Sequence, residues 1–256
     1  MSNGRVPRSG HHIGSGVMKK IFWLLILIIP IIVVAVSLFT RYQGMLTGRG
    51  SMLREWFATK NPEWMVDAGE RCGDAVFISP TRGYIGFLWD DSFRPGHHHS
   101  GIDIFGGEEP GITPVVAAAD GYLTRLPEWK STVIIRVSDD PLDSSRQIWL
   151  YYTHMASVAG KTFIEEKFPS GSVEVPVKAG DLLGYQGNYS GDPVNPTGVH
   201  LHFSIVMDDG RGEFLSELEI ENTLDPSPYF QLPLNGKYNT GDVPMCSNSN
   251  YYGSGK

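Results

Sequence analysis

The sequence predicts an all-β fold, an antiparallel β-sheet domain preceded by one N-terminal transmembrane helix. Thirty glycines and seventeen prolines are spread through the 256 residues without a repeat period, which is typical of many short strands and turns. Short apolar runs, separated by Gly, Pro, Asp and Asn turns, have the spacing of an antiparallel sheet. These runs occupy residues 115–119, 132–137, 147–155 and 200–207.

The transmembrane helix is predicted at residues 21–40. The first nineteen of these residues carry no charge, and at ~1.5 Å per residue they nearly span the hydrocarbon thickness of a bilayer. Lys19 and Lys20 before the run and Arg41 after it weakly favour a cytoplasmic N-terminus. A cleaved signal peptide is the alternative, but the run is longer than a usual signal core and no small-x-small cleavage site follows it.

The rest of the chain divides by composition into four further segments. Residues 1–20 are rich in Gly, Ser and Arg, and a disordered cytoplasmic tail is predicted there. Residues 41–74 are mixed in character and are interpreted as a juxtamembrane connector. The β domain is predicted at residues 75–210, and residues 211–256 are predicted to form an irregular C-terminal extension.

Charge and cysteine content narrow the class of protein. The formal net charge is -7, and the basic residues of the first 41 positions leave -12 on residues 42–256. A body with this charge and no basic run lacks the surface of a nucleic-acid-binding protein. Cys72 and Cys246 are too far apart in sequence to form a C-x-x-C motif, so a disulfide and two unrelated thiols both remain open.

A first candidate motif places an imidazole and a carboxylate on either side of a glycine-containing bend, His99-Ser-Gly-Ile-Asp103. Gly101 lets the backbone turn so that both side chains can reach one point, as a metal site requires. By itself the motif also fits a solvated loop. His97 and His98 flank it, and the spacing to Asp103 selects His99.

Two further motifs contain histidine. His200 and His202 stand two residues apart at the start of an apolar strand, so both imidazoles are expected on one face while Leu201 enters the apolar layer. His154 ends another predicted strand. Taken singly, an exposed polar strand face explains the His200 and His202 pair better than a ligand pair does, and a lone histidine such as His154 is more often a hydrogen-bonded structural residue than a catalyst.

Taken together, six blocks of sequence resemble, in order, the lysostaphin-like (LytM-type) zinc metallopeptidase family and its peptidoglycan endopeptidase domain. An H-x-x-x-D, then Y-x-H, then H-x-H series in that order is specific. The match covers residues 77–207, about half of the chain. The six blocks lie at residues 77–89, 97–106, 113–126, 151–155, 177–191 and 197–205.

The resemblance implies that His99, Asp103 and His202 bind one Zn²⁺ per chain and that His154 and His200 are catalytic. Two imidazoles and one carboxylate leave a fourth zinc position open, which is typical of a catalytic site. Zinc lowers the pKa of water and polarises a carbonyl, so hydrolysis needs no serine or cysteine nucleophile. The two remaining histidines suffice for proton transfer and oxyanion stabilisation, and their roles can exchange along the reaction.

The implied function is that of a membrane-anchored zinc metalloendopeptidase. Its substrate would be peptide bonds in the stem peptides or cross-bridges of peptidoglycan. The catalytic domain would be an antiparallel β-sheet domain with an active-site groove, and it would lie outside the cytoplasm. The family splits glycyl-glycine bridges or bonds involving D-alanine and diamino acids, and the sequence does not decide between them. Two segments, residues 154–184 and 188–199, are longer than in minimal members and are expected to border the groove.

Two other classes of protein, a non-cleaving scaffold and a lipoyl or biotinyl carrier, match parts of the sequence. A scaffold with the same domain would bind wall or a regulatory protein partner without cutting, but such members typically lack a ligand or a catalytic histidine, and here all five positions are filled. A lipoyl or biotinyl carrier would need a displayed lysine, and Lys178 lacks the expected M-K-M setting. The carrier would also leave His200 and His202 without a role.

Overall fold

The computed structural model describes residues 22–24, 26–36, 49–91, 97–239 and 241–246. The chain forms two compact units, Met1–Gly44 and Met45–Lys256. In the first unit, residues 22–24 and 26–36 are helical and their large apolar side chains are exposed. Among the described residues, no helix is both long and apolar enough to cross a membrane. The predicted tail (1–20) and positions 21, 25 and 37–40 of the predicted transmembrane helix lie outside the described residues.

The second unit is built on antiparallel β-sheets, so the prediction of an all-β antiparallel domain is confirmed. Within the described residues, nine strands form the main sheet in the order β1-β2-β3-β10-β7-β6-β5-β8, with β11 also paired to β10, and β4 and β9 form a second sheet. The strands are β1 (Met65–Val66), β2 (Gly83–Phe87), β3 (Ile102–Phe105), β4 (Pro114–Val116), β5 (Gly121–Thr124), β6 (Val133–Val137), β7 (Ile148–Thr153), β8 (Val175–Val177), β9 (Leu182–Tyr185), β10 (Leu201–Met207) and β11 (Thr223–Leu224).

Alternation along the central strands separates the main core face from an opposite face, called the polar face below, which carries polar side chains and a smaller apolar cluster. In β10, Leu201, Phe203 and Ile205 lie in the main hydrophobic core. The residues between them therefore face the other side of the sheet, because successive side chains of a strand alternate. The register of the strands brings the candidate site residues together, since His202 pairs with Asp103 of β3 on one side and with Thr153 of β7 on the other.

Helix α1 (Arg49–Thr59) and strand β1 belong to the body, which corrects the connector predicted at residues 41–74 for its described part, 49–74. The Trp56 side chain is fully buried and stacks on Tyr84 of β2, with ring centroids 5.4 Å apart. β1 extends the main sheet by pairing with β2. Trp56 is the buried residue of α1, so the helix lacks the broad apolar stripe by which a packed helix is recognised in sequence.

The described part of the C-terminal segment, residues 211–239 and 241–246, also packs into the body, which corrects this part of the extension predicted at residues 211–256; residues 240 and 247–256 lie outside the described residues. It carries β11, a 3₁₀ turn (Ile220–Asn222) and the short helix α2 (Ser227–Phe230). Tyr229 and Phe230 are buried in the main core, and Tyr229 stacks on Phe77. A disulfide joins Cys72 to Cys246 and decides the question that the sequence left open.

Candidate metal centre

Three side chains converge on one point of the polar face. His99 lies just before β3, Asp103 lies within β3 and His202 lies in β10. The Oδ1 atom of Asp103 is 3.1 Å from Nε2 of His99 and 2.9 Å from Nδ1 of His202, and the two nitrogens are 3.1 Å apart. The side chains are at most 13% exposed, so water shields this cluster only weakly.

The donor set and its spacing fit a metal ion. Zn²⁺ binds imidazole nitrogen and carboxylate oxygen at about 2.0–2.2 Å, so two ligand atoms of a tetrahedral site lie about 3.4 Å apart. The three observed separations, 2.9 to 3.1 Å, are slightly shorter than this distance. Small side-chain movements would therefore bring all three atoms to bonding distance of one ion.

In each histidine, the ring nitrogen that faces away from this point has a hydrogen-bond partner of its own. Nδ1 of His99 donates a hydrogen bond to the Leu88 carbonyl oxygen over 2.9 Å, which leaves its Nε2 as the ligand atom. Nε2 of His202 lies 3.0 Å from Oε1 of Glu217 and 2.9 Å from Oγ of Ser204, and Nδ1 is left as the ligand atom. Such partners fix the tautomer and ring orientation of metal-binding histidines.

The electrostatics of the cluster favour a cation. Burial alone would raise the pKa of Asp103, but the neighbouring His99 and His200 and a hydrogen bond from His202 hold it well below its usual value. Burial likewise would lower the pKa of His202, but hydrogen bonds to Asp103 and Glu217 raise it to about 10. A metal ion that binds here displaces the His202 proton.

His154 and His200 lie beside the cluster. Their ring centroids are 4.6 Å apart, and Nε2 of His200 is 3.5 Å from Oδ1 of Asp103. Each ring donates from Nδ1 to a main-chain carbonyl oxygen, that of Tyr189 for His154 and that of Gly198 for His200, both over 2.7 Å. Nε2 of each ring is thereby left as the acceptor nitrogen.

Local packing holds these two rings in place. Phe105 of β3 stacks on His200 with ring centroids 4.9 Å apart. His154 follows the last residue of β7 and adopts a φ of 72°, a conformation that costs a non-glycine residue free energy and turns the chain sharply out of the sheet. Burial lowers the pKa of His154 to about 3, and the neighbouring His200 and His202 act in the same direction. His154 is therefore a neutral imidazole near neutral pH.

The structure thus brings together all five residues that the sequence motifs selected. Within the three consecutive histidines, it places His99 in the cluster, whereas the His98 side chain is 54% exposed and contacts Asp90, with Nδ1 2.5 Å from Oδ1. The ring of His99, the histidine with the required spacing to Asp103, thus contacts Asp103.

Glu217 is the residue of the site that sequence reasoning missed. It lies in the polar stretch after β10 and belongs to no motif that would have marked it. Its carboxylate accepts from His202 and from the Ser100 hydroxyl, the latter over 3.3 Å. The segment is anchored by Phe214, whose ring packs against Trp149.

An open groove of about 530 Å³ leads to the cluster. This volume is within the range of small-molecule and peptide sites. Loop residues Tyr189, Ser190 and Gly191 form part of its wall, as expected for the segment 188–199. The other lining residues are His97, His98, His99, Ser100, Ser131, Tyr151, Thr153, His154, His202, Glu217 and Leu218.

Several solved structures are similar to this chain. Csd3 from Helicobacter pylori aligns with 61% of the chain at 19% identity and a TM-score of 0.38, and the chain spans 35% of Csd3. The catalytic domain of the antimicrobial peptidase lysostaphin from Staphylococcus simulans aligns with 58% of the chain at 20% identity and a TM-score of 0.37, and 89% of that domain is covered.

A variant of the catalytic domain of EnpA, a prophage-encoded M23 protein from Enterococcus faecalis, aligns with 54% of the chain at 22% identity and a TM-score of 0.36, and 90% of it is covered. Lysostaphin gives its name to the family that the sequence motifs resemble. No protein-family model and no curated protein sequence matches the chain.

Replacing Glu217 with Gln is expected to weaken zinc binding about 10- to 100-fold, the usual effect of removing a carboxylate behind a metal-binding histidine. The physical reason is that the His202 Nε2 proton loses its charged acceptor, so the ring is a weaker ligand. Competition with a chromophoric chelator measures the affinity. Glu219→Gln, an exposed residue of the same segment, is the control, and equal affinities for the two variants would contradict the assignment.

Proposed function

We propose that this protein is a zinc-dependent metalloendopeptidase that hydrolyses peptide bonds in the stem peptides or cross-bridges of peptidoglycan. One observation carries the proposal. His99, Asp103 and His202 present three ligand atoms to one point, two further imidazoles stand beside that point, and His99, His154 and His202 line an open groove. A closed structural metal site would need neither the groove nor the extra histidines.

The hydrolysis requires the removal and return of one proton. When bound, zinc would lower the pKa of a water molecule and polarise the scissile carbonyl. Nε2 of His154 or His200 accepts the proton of the attacking water, since Nδ1 of each ring is already committed as a donor. As the carbon–nitrogen bond breaks, the same proton passes to the leaving amine. The partner imidazole donates to the developing oxyanion when it carries a proton on Nε2.

The groove supports a peptide as substrate. Its walls carry the hydroxyl groups of Ser131, Tyr151 and Thr153 beside the metal cluster, and such groups can pair with the N–H and C=O groups of an extended chain. Peptidoglycan as the source of that peptide is proposed from the family resemblance of the sequence motifs. Digestion of purified peptidoglycan and mass spectrometry of the products test it, with new peptide termini as the expected result.

We further propose that residues 21–40 anchor the protein in the cell membrane in a single pass and that residues 42–256 lie outside the cytoplasm. Charge around the apolar run supports this orientation. The Cys72–Cys246 disulfide supports it as well, because disulfides persist in oxidising compartments.

Protease added to intact cells stripped of wall is expected to digest the body while a cytosolic marker protein stays whole. The physical reason is that an extracytoplasmic domain has no bilayer between it and the protease. Immunodetection of the C-terminal part provides the measurement. A body that is protected until the membrane is permeabilised would contradict the orientation.

A further inference from the structure

A turn behind the metal cluster holds His99 by three hydrogen bonds. The Leu88 carbonyl oxygen accepts from Nδ1 of the His99 ring over 2.9 Å. The main-chain N–H of His99 donates to the Asp91 carbonyl oxygen over 2.9 Å, and the His99 carbonyl oxygen accepts from the N–H of Asp90 over 2.8 Å. Ring and backbone of this ligand are therefore both positioned by residues 88–91.

The Asp91 carboxylate holds this turn together. Its Oδ2 atom accepts from the N–H of Leu88 over 2.7 Å and so closes the turn from within. The same oxygen is 3.5 Å from Nε of Arg49 in helix α1, and the two side chains are only 18% and 9% exposed. A buried carboxylate left without its cation is costly, so the turn depends on Arg49 for its charge balance.

Arg49 also binds the C-terminal segment. Its Nη2 group donates to the main-chain oxygen of Asn239 over 3.2 Å and lies 3.5 Å from that of Asp242. A single side chain of α1 thus joins the helix, the C-terminal segment and the turn that holds a metal ligand.

We infer that Arg49, through Asp91, is a positioning residue for the metal ligand His99, and that the pair sets the affinity of the site for zinc. The inference rests on the metal centre of the proposed function. Arg49 and Asp91 lie in parts of the chain that carry none of the family motifs, and their effect on the ligand passes through the turn.

The experiment measures zinc affinity of the full chain, purified in detergent, by competition with a chromophoric chelator and without substrate. Arg49→Met is expected to lower the affinity about 10-fold, and Asp91→Ala about 10- to 100-fold, in the range known for partners of metal ligands. The double variant is expected to lose no more zinc affinity than Asp91→Ala alone, because Arg49 acts on His99 through Asp91. Arg49→Lys, which keeps the charge, should recover most of the affinity.

Arg82→Met is the matched control. Arg82 forms an ion pair with Asp67 at 3.1 Å, but these side chains are 52% and 76% exposed, and the variant should bind zinc as the parent does. Circular dichroism and thermal unfolding of the metal-free proteins identify variants that do not fold. If Arg49→Met is among them, Asp91→Asn replaces it, since the amide oxygen can still accept from Leu88 while the charge is lost.

A second measurement needs neither zinc nor peptidase activity. Amide hydrogen exchange at His99 in the metal-free protein should be faster in Arg49→Met than in the parent and unchanged in Arg82→Met, because this N–H belongs to the turn. Unchanged zinc affinity and unchanged exchange in a folded Arg49→Met protein would overturn the inference. The inference would also be overturned if the fold-losses of zinc affinity in the two single variants multiplied in the double variant. Absence of peptide cleavage would count against the proposed function alone.

Discussion

Replacing His154 or His200 with alanine is expected to reduce peptide cleavage at least about a hundredfold while the bound zinc remains. Neither imidazole belongs to the ligand set, and both lie within reach of it, with Nε2 of His200 3.5 Å from Oδ1 of Asp103 and the His154 ring 4.6 Å from that of His200. General acid–base help is worth about 10²- to 10⁴-fold, and oxyanion stabilisation can add a comparable factor. The loss should therefore fall on the chemical step.

The measurement is the rate at which new amino termini are released from purified peptidoglycan, with zinc content determined on the same samples. His98→Ala is the matched control, since it removes an imidazole that lines the same groove and contacts Asp90. Its cleavage rate should stay within a few-fold of the parent. Full activity of the His154→Ala and His200→Ala proteins would show that these histidines do not take part in the reaction.

His99→Ala is expected to remove most of the bound zinc and with it the cleavage. His99 supplies one of three protein ligand atoms, and a ligand contributes directly to metal affinity. The His99 ring is held by the Leu88 carbonyl oxygen, whereas Nδ1 of the adjacent His98 lies 2.5 Å from Oδ1 of Asp90. His98→Ala should leave the zinc nearly intact.

Metal analysis of the two purified variants, after dialysis against a weak chelator, decides between the adjacent histidines. Folding of each protein is checked by thermal unfolding, because removal of the metal alone lowers stability. If His98→Ala removes the zinc and His99→Ala does not, His98 and not His99 is the ligand, and the proposed ligand set is wrong.

The sequence motifs and the family that they resemble selected five residues, and the structure places these residues side by side, while their roles as ligands and catalytic groups stay predictions. The His99-x-x-x-Asp103 spacing crosses the start of β3. Alternation along β10 places His202 on the face opposite to Leu201, and His200 directly precedes this strand. These relations depend on a few neighbouring residues and on strand geometry, which a sequence displays directly. The strand pattern likewise predicted the antiparallel sheet.

The parts that sequence reasoning missed depend on contacts between distant segments. Helix α1 packs by one fully buried side chain, Trp56, and such a helix has no periodic apolar signal. Glu217 reaches His202 from a polar stretch, and Arg49 reaches Asp91 from 42 positions away. Long-range ion pairs and hydrogen bonds of this kind leave no mark in the local spacing of residues.

Release of new amino termini from purified peptidoglycan by the zinc-loaded protein is the decisive measurement of peptidase activity. The parent is expected to release termini, a chelator to abolish this release and added zinc to restore it. Peptidoglycans with glycyl bridges and with directly cross-linked diamino acids are tested in parallel, and masses of the products identify the bond. A parent protein that holds zinc at the His99, Asp103 and His202 cluster, binds wall and releases no termini from any of them would contradict the proposed function and favour a non-cleaving scaffold.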